Sequence, residues 1–238
     1  MTGVAERHRV IIDRIDSAAR KSGRSISDIT LVGVTKTLPV SLVLEGAESG
    51  LLNFGENRFQ GVVEKVKEVK ENLGPQQAQR VSWHFIGHIQ SNKAKKIIET
   101  FDYIQSIDSL KLVNRIERLA EEIGKKVKGL LQVNISGAET QGGIPLEKLE
   151  NVLESIGQLN NLEIQGFMAI GPRTNDNDVI RSNYRKFKEH IDSLRVKGYT
   201  SVGFQELSMG MSGDFDIAIE EGATIVRVGT ALFGPRQQ

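Results

Sequence analysis

Eight apolar, β-branched runs alternate along this chain with amphipathic stretches of helical period, and few folds accommodate that order. Runs that are apolar on both faces read as strands buried between two layers, and their alternation with helices implies βαβ units in a parallel sheet. The strands are expected at 29–36, 51–57, 81–87, 103–107, 129–135, 162–170, 200–209 and 224–233. Helical spacing is expected at 40–50, 58–72, 92–99, 110–123, 146–159, 179–195 and 215–221, with a Gly74-Pro75 break after the second strand's helix. Eight such units in 238 residues favour a closed barrel over an open doubly wound sheet, since an α/β barrel occupies roughly 250 residues. The expected fold class is therefore α/β, a single (β/α)8 TIM-type barrel, with residues 1–238 forming one domain. An additional N-terminal helix carries Val10, Ile11, Ile15, Ala18 and Ala19 on one face, stops at Gly23, and is expected to plug or cap one barrel end.

Composition narrows the function classes. Lys and Arg number 31 against 30 Asp and Glu, a formal charge of +1, which leaves no broad electrostatic footprint for nucleic acid or an anionic membrane. Basic stretches such as Lys93-Ala94-Lys95-Lys96 and Lys125-Lys126-Val127-Lys128 read as solvated helix faces. The absence of cysteine excludes disulfides, thiolate catalysis and thiolate-bound metal. Residues 1–20 are charged and amphipathic without a leader pattern, and no apolar run approaches the ~20 residues that span a bilayer, so a cytoplasmic protein is expected. No two histidines stand at i, i+4 on a helix beside a carboxylate, so no metal is expected. No heptad seam or strand edge marks an obligate dimer, so a monomer is expected.

In barrels of this kind the active site lies at the C-terminal ends of the strands, so the strand ends supply the candidate residues. The first strand ends in Lys36, the second in Asn57, and the third carries His84. The seventh strand and its following loop supply Ser208 and Ser212, and the eighth supplies Arg227, Gly229 and Thr230. Lys36 has two readings: an amine snorkelling to solvent, or one whose desolvation makes it nucleophilic enough for Schiff-base chemistry. Two-residue alternation sets Arg227 and Gly229 opposite Val226 and Val228, so Arg227 points into the barrel if the valines face the helices. Such a guanidinium needs an acceptor, either an inward carboxylate or a ligand. Loops after the last two strands of these barrels frequently hold phosphate, and Met209-Gly210-Met211-Ser212-Gly213 with Gly229-Thr230 suits that role. Ser212 also reads as an ordinary helix N-cap, and His84 as a hydrogen-bonded core histidine.

Taken in order, the segments Val34-Thr35-Lys36-Thr37, Phe54-Gly55-Glu56-Asn57, Trp83-His84-Phe85-Ile86-Gly87 and Gln90-Ser91-Asn92-Lys93 resemble the pyridoxal phosphate homeostasis family. The resemblance continues through Gly166-Phe167-Met168-Ala169-Ile170, Leu207-Ser208-Met209-Gly210-Met211-Ser212 and Val226-Arg227-Val228-Gly229-Thr230, spanning nearly the whole chain. It implies a barrel similar to the N-terminal domain of alanine racemase that binds pyridoxal 5′-phosphate (PLP) as an aldimine on Lys36. It further implies phosphate near Ser212, Gly229 and Thr230, Arg227 beside the pyridine nitrogen, and Asn57 beside the ring. An arginine there disfavours a proton on that nitrogen and restrains carbanion chemistry. One departure stands out: family members often carry a lysine before a Ser-Gly pair in the loop after the fifth strand, and this chain has Gln141 at that place.

The implied function is PLP homeostasis, with PLP-dependent apo-enzymes as recipients. The rival is a PLP-dependent racemase, which needs two bases; the resemblance says that racemases take the second, a tyrosine, from a C-terminal β domain. That domain is expected to be missing, since the sequence ends at Gln238 directly after the eighth strand, and Tyr103, Tyr184 and Tyr199 are not placed as bases. A cofactor-free Schiff-base aldolase is a third reading, separable by its lack of near-visible absorbance.

Overall fold

Eight parallel strands close into a barrel in this computed structural model, which describes residues 3–138 and 140–235. In chain order the first elements are α1 (Val4–Lys21), β1 (Thr30–Val34), α2 (Val40–Glu48), β2 (Asn53–Glu56), α3 (Val62–Arg80), β3 (Ser82–Phe85) and α4 (Ala94–Thr100). Next come β4 (Tyr103–Ile107), α5 (Leu110–Ile123), β5 (Val127–Asn134), β6 (Ile144–Pro145), α6 (Leu149–Ser155), β7 (Leu162–Ala169) and α7 (Asn177–Val196). The last are β8 (Glu206–Ser208), α8 (Phe215–Glu220), β9 (Ile225–Val228) and α9 (Thr230–Phe233). The barrel runs β1-β2-β3-β4-β5-β7-β8-β9, with β9 pairing back onto β1. The two-residue β6 is appended to β5 and had no signature in the sequence.

The strands are mostly apolar because both faces are largely buried. Leu31, Phe54, Trp83, Phe85, Val226 and Val228 join the large core between sheet and helices, where Trp83 meets Phe54 at 5.4 Å. Val32, Tyr103, Leu130, Met168 and Ile225 form a separate cluster inside the barrel, one residue out of phase with their outward neighbours.

Several expected boundaries shift, each for a local reason. The eighth strand of the sequence reading ends at Val228, because Gly229 (φ −112°, ψ −85°) turns the chain into α9 and its carbonyl accepts from Leu232 and Phe233. Thr230 therefore opens a helix instead of ending a strand. The seventh contracts to Glu206–Ser208, since Gly203 and Gln205 reach β7 only through isolated backbone bonds of 2.6 and 3.1 Å. The Gly74-Pro75 break is a kink within α3, whose helical turns resume to Arg80.

Helix α1 does not plug the barrel. Its apolar stripe is Val4, His8, Ile11, Ile15, Ala18 and Ala19, while Val10 is 46% exposed. It packs on α2, α8 and α9 outside the β9–β1 seam. Since α9 has only one turn, α1 supplies the helical cover which that seam otherwise lacks.

Candidate functional site

Lys36 leaves the end of β1 from an over-anchored backbone. The strand ends at Val34, two residues short of the expected end, and Lys36 sits half-buried in the turn that follows it. The preceding Thr35 has its polar atoms engaged: its amide donates to Gly55 O (2.9 Å), its hydroxyl to Glu56 Oε1 (2.8 Å), and its carbonyl accepts from Lys65 Nζ (2.7 Å). Lys65 and Glu56 form an ion pair at 2.6 Å with side chains only 13% and 5% exposed. The following Thr37 has φ +63°, and among the described residues it is the only non-glycine with positive φ. A β-branched residue in that region stores on the order of 1–3 kcal/mol, held only where neighbours over-determine it. Glu56 and Lys65 were missed in the sequence, although a carboxylate inside the apolar run 51–57 was a usable signal.

Arg227 does point into the barrel, since Val226 and Val228 face the helices. It is 4% exposed, and among the described residues no carboxylate forms an ion pair with it; one guanidinium nitrogen donates to Ser208 Oγ (2.5 Å) and another to Ala169 O (2.8 Å). The ion-pair reading is therefore wrong for this residue. Burial lowers its pKa, partly offset by the more distant Tyr184 and Asp214.

From Arg227 a one-way chain of donors crosses the barrel. Ser208 Oγ donates to Gln105 Oε1 (2.7 Å), Gln105 Nε2 to His84 Nδ1 (2.9 Å), and His84 Nε2 to Asn53 Oδ1 (3.2 Å). This polarity assigns His84 the neutral tautomer with its proton on Nε2. His84 is thus a satisfied interior histidine, stacked on Tyr103 with ring centroids 5.1 Å apart. Gln105 and Asn53, both essential to the chain, escaped the sequence reading; a glutamine amid Tyr103–Ile107 was the available sign.

Burial pushes the His84 pKa down to about 3. The unfolded chain takes up a proton near pH 6.5 and the folded chain only near 3, so this residue subtracts stability as pH falls through that window. The expected loss reaches about 4 kcal/mol at pH 3. Urea unfolding between pH 7 and pH 4 checks it: His84→Gln should flatten the pH slope, and an unchanged slope contradicts the assignment.

At the far side, Ser212 Oγ accepts from the amides of Gly229 (3.1 Å) and Ala231 (3.4 Å), so the loop after β8 and the start of α9 meet as expected. Ser212 is not the helix N-cap; Asp214 holds that position. Thr230 is exposed beside them. Asn57 follows β2, and its buried Oδ1 has no hydrogen-bond partner. Gly87 lets the chain after β3 approach it, since a Cβ there would lie 2.0 Å from Asn57 O. Gln141 bridges two loops of the same face, accepting from Ser136 Oγ (2.7 Å) and donating to Gly171 O (3.4 Å). Among the described residues, no group of three His, Cys, Asp or Glu side chains is placed to hold a metal ion.

The model of the alanine racemase N-terminal domain family matches residues 19–237. The chain is 37% identical over 232 residues to the pyridoxal phosphate homeostasis protein of Aquifex aeolicus, covering 98% of both. It belongs to this family of pyridoxal phosphate homeostasis proteins. The family member of Escherichia coli K12 is 34% identical over 247 residues, 99% of this chain and 98% of that one. Among solved structures, PipY of Synechococcus elongatus PCC7942 with PLP bound superposes with TM-score 0.80 at 32% identity, covering 97% of this chain and all (100%) of PipY. Alanine racemase of Clostridium difficile 630 shares the fold alone: TM-score 0.70 at 14% identity, over 95% of this chain and 60% of the racemase.

Proposed function

We propose that this chain binds PLP at the barrel mouth, holds it covalently through Lys36, and serves PLP homeostasis as a carrier instead of an enzyme. The observation that carries the reading is a buried guanidinium with no ion-paired carboxylate among the described residues, on the strand that pairs with β1 below Lys36, in a chain whose relative PipY was solved with PLP. The donor set suits the cofactor. Asn57 Oδ1 is a buried acceptor lacking a partner, and Ser212 gathers the Gly229 and Ala231 amides where a phosphate needs donors. Lys36, Asn57, Ser212, Arg227, Gly229 and Thr230 would hold the group, with His84 and Ser208 fixing Arg227 from below.

When bound, the cofactor supplies an aldehyde for covalent attachment and an electron-withdrawing ring. The protein restrains that ring. Arg227 places a positive charge where a carboxylate would favour ring protonation. No tyrosine is poised as a second base. Tyr184 donates to Asp214 and Tyr199 to Glu150, while Tyr103 opens β4 at the opposite end of the barrel. Burial raises the pKa of all three, with nearby carboxylates adding to the shift. We read residues 1–238 as one PLP-binding domain, monomeric and cytoplasmic, that delivers the cofactor to PLP-dependent apo-enzymes. Among the described residues no helix is long and apolar enough to cross a membrane.

The test is the absorption spectrum of the purified protein titrated with PLP. A near-visible band that saturates at one equivalent is expected. A protein that stays colourless and takes up no PLP is incompatible with the proposal and favours cofactor-free amine chemistry.

A further inference from the structure

The turn that carries Ser212 is built on two buried groups, Tyr184 and Asp214, that are hydrogen-bonded to each other and act on Arg227 only through its charge. Asp214 stands at the N-cap of α8, where an aspartate ordinarily accepts from its own helix, yet its side chain makes no such bond. Its Oδ1 instead reaches back to the Met211 amide (2.6 Å), and its Oδ2 accepts from the hydroxyl of Tyr184 (2.8 Å). The backbone closes the same turn, with the amides of Asp214 and Phe215 donating to Met211 O at 3.1 and 2.9 Å. Met211 is thus clamped through both its N–H and its carbonyl, and Ser212 is the next residue. Tyr184 comes from α7 and is fully buried. It approaches this closely because residue 171 is glycine: a Cβ there would meet the Tyr184 oxygen at 2.4 Å and Asp214 Oδ2 at 3.3 Å.

We propose that Tyr184 and Asp214 are positioning residues for recognition of a phosphate monoester, acting through the Met211–Ser212 turn and not through the covalent linkage. The inference rests on the PLP reading above. A phosphate held by the hydroxyl of Ser212, whose oxygen the Gly229 and Ala231 amides hold in place, gains from a donor whose position is fixed before it arrives. The carboxylate of Asp214 is the element that fixes that position, because its two oxygens tie the turn to a rigid helix. Both of its oxygens are engaged by these two donors, so its role at the anion site is to hold the turn in place. Loss of the Tyr184 hydroxyl leaves Asp214 with one donor and frees the turn to rotate. Such a change weakens phosphate binding while the chain keeps the amine of Lys36, which follows the neighbouring strand β1.

The experiment measures Kd for PLP and for pyridoxal, which lacks the phosphate, with wild type, Tyr184→Phe and Asp214→Asn, alongside thermal midpoints. Wild type should prefer PLP. Each variant should lose about tenfold or more in PLP affinity, the scale of one hydrogen bond to a charged group, with its affinity for pyridoxal unchanged. Variants that bind both ligands more weakly by the same factor, that keep the full preference, or that both fail to fold assign the pair to general packing and overturn the proposal. If Tyr184→Phe alone fails to fold, the ratio in Asp214→Asn decides. A wild type that binds neither ligand defeats the PLP reading itself, whereas one that binds both equally defeats only this inference.

Discussion

Lys36→Ala protein should fold normally and lose the near-visible band of the PLP aldimine completely. The substitution removes the amine, but the anchors of the strand end remain, because the Thr35 bonds to Gly55, Glu56 and Lys65 do not involve the Lys36 side chain. Lys36 is half-buried, outside the packed core, so the stability change should stay within about 1 kcal/mol. Lys36→Arg should lack that aldimine band equally, since a guanidinium keeps its proton and offers no free amine. Spectra and thermal midpoints of both variants check this. A variant that retains the band places the covalent attachment elsewhere.

The largest effect on stability is expected from Lys65→Met. Glu56 is 3% exposed, and its carboxylate is held by Lys65 at 2.6 Å and Thr35 at 2.8 Å. Removing the lysine leaves a buried, nearly unpartnered charge, a change that costs on the order of 3–5 kcal/mol. At this chain length that corresponds to a thermal midpoint lower by roughly 10 °C. The paired replacement Lys65→Met with Glu56→Gln should recover most of the loss, because the isolated charge is what penalises the single variant. PLP uptake by Lys65→Met should also weaken, since the Thr35 carbonyl loses the donor that fixes the approach to Lys36. A midpoint unchanged in the single variant, or no recovery in the double one, would show that the pair does not anchor the strand end.

The barrel was legible because its strands are buried on both faces, and continuous runs such as Ile225–Val228 announce that directly. Arg227 was legible for the same reason: charge within such a run is conspicuous, and two-residue alternation gives its direction. Less visible were partners contributed by separate strands. Gln105 and Asn53 matter only because β3, between β2 and β4, brings them to His84, and no local pattern records that closure. Asp214 had no distinguishing local sign, and only the packing of α7 against α8 reveals that it serves Tyr184 and Met211. The end of β9 was misjudged because Thr230-Ala231-Leu232-Phe233 is as apolar as a strand; the dihedral angles of Gly229 decide it.

The central claim, covalent attachment of PLP to Lys36, is tested most directly by reducing the PLP-loaded protein with borohydride and mapping the modified peptide by mass spectrometry. The predicted result is one pyridoxyl group per chain, located on Lys36. A label on another lysine such as Lys65 or Lys93, or none on a protein that visibly binds PLP, would contradict it.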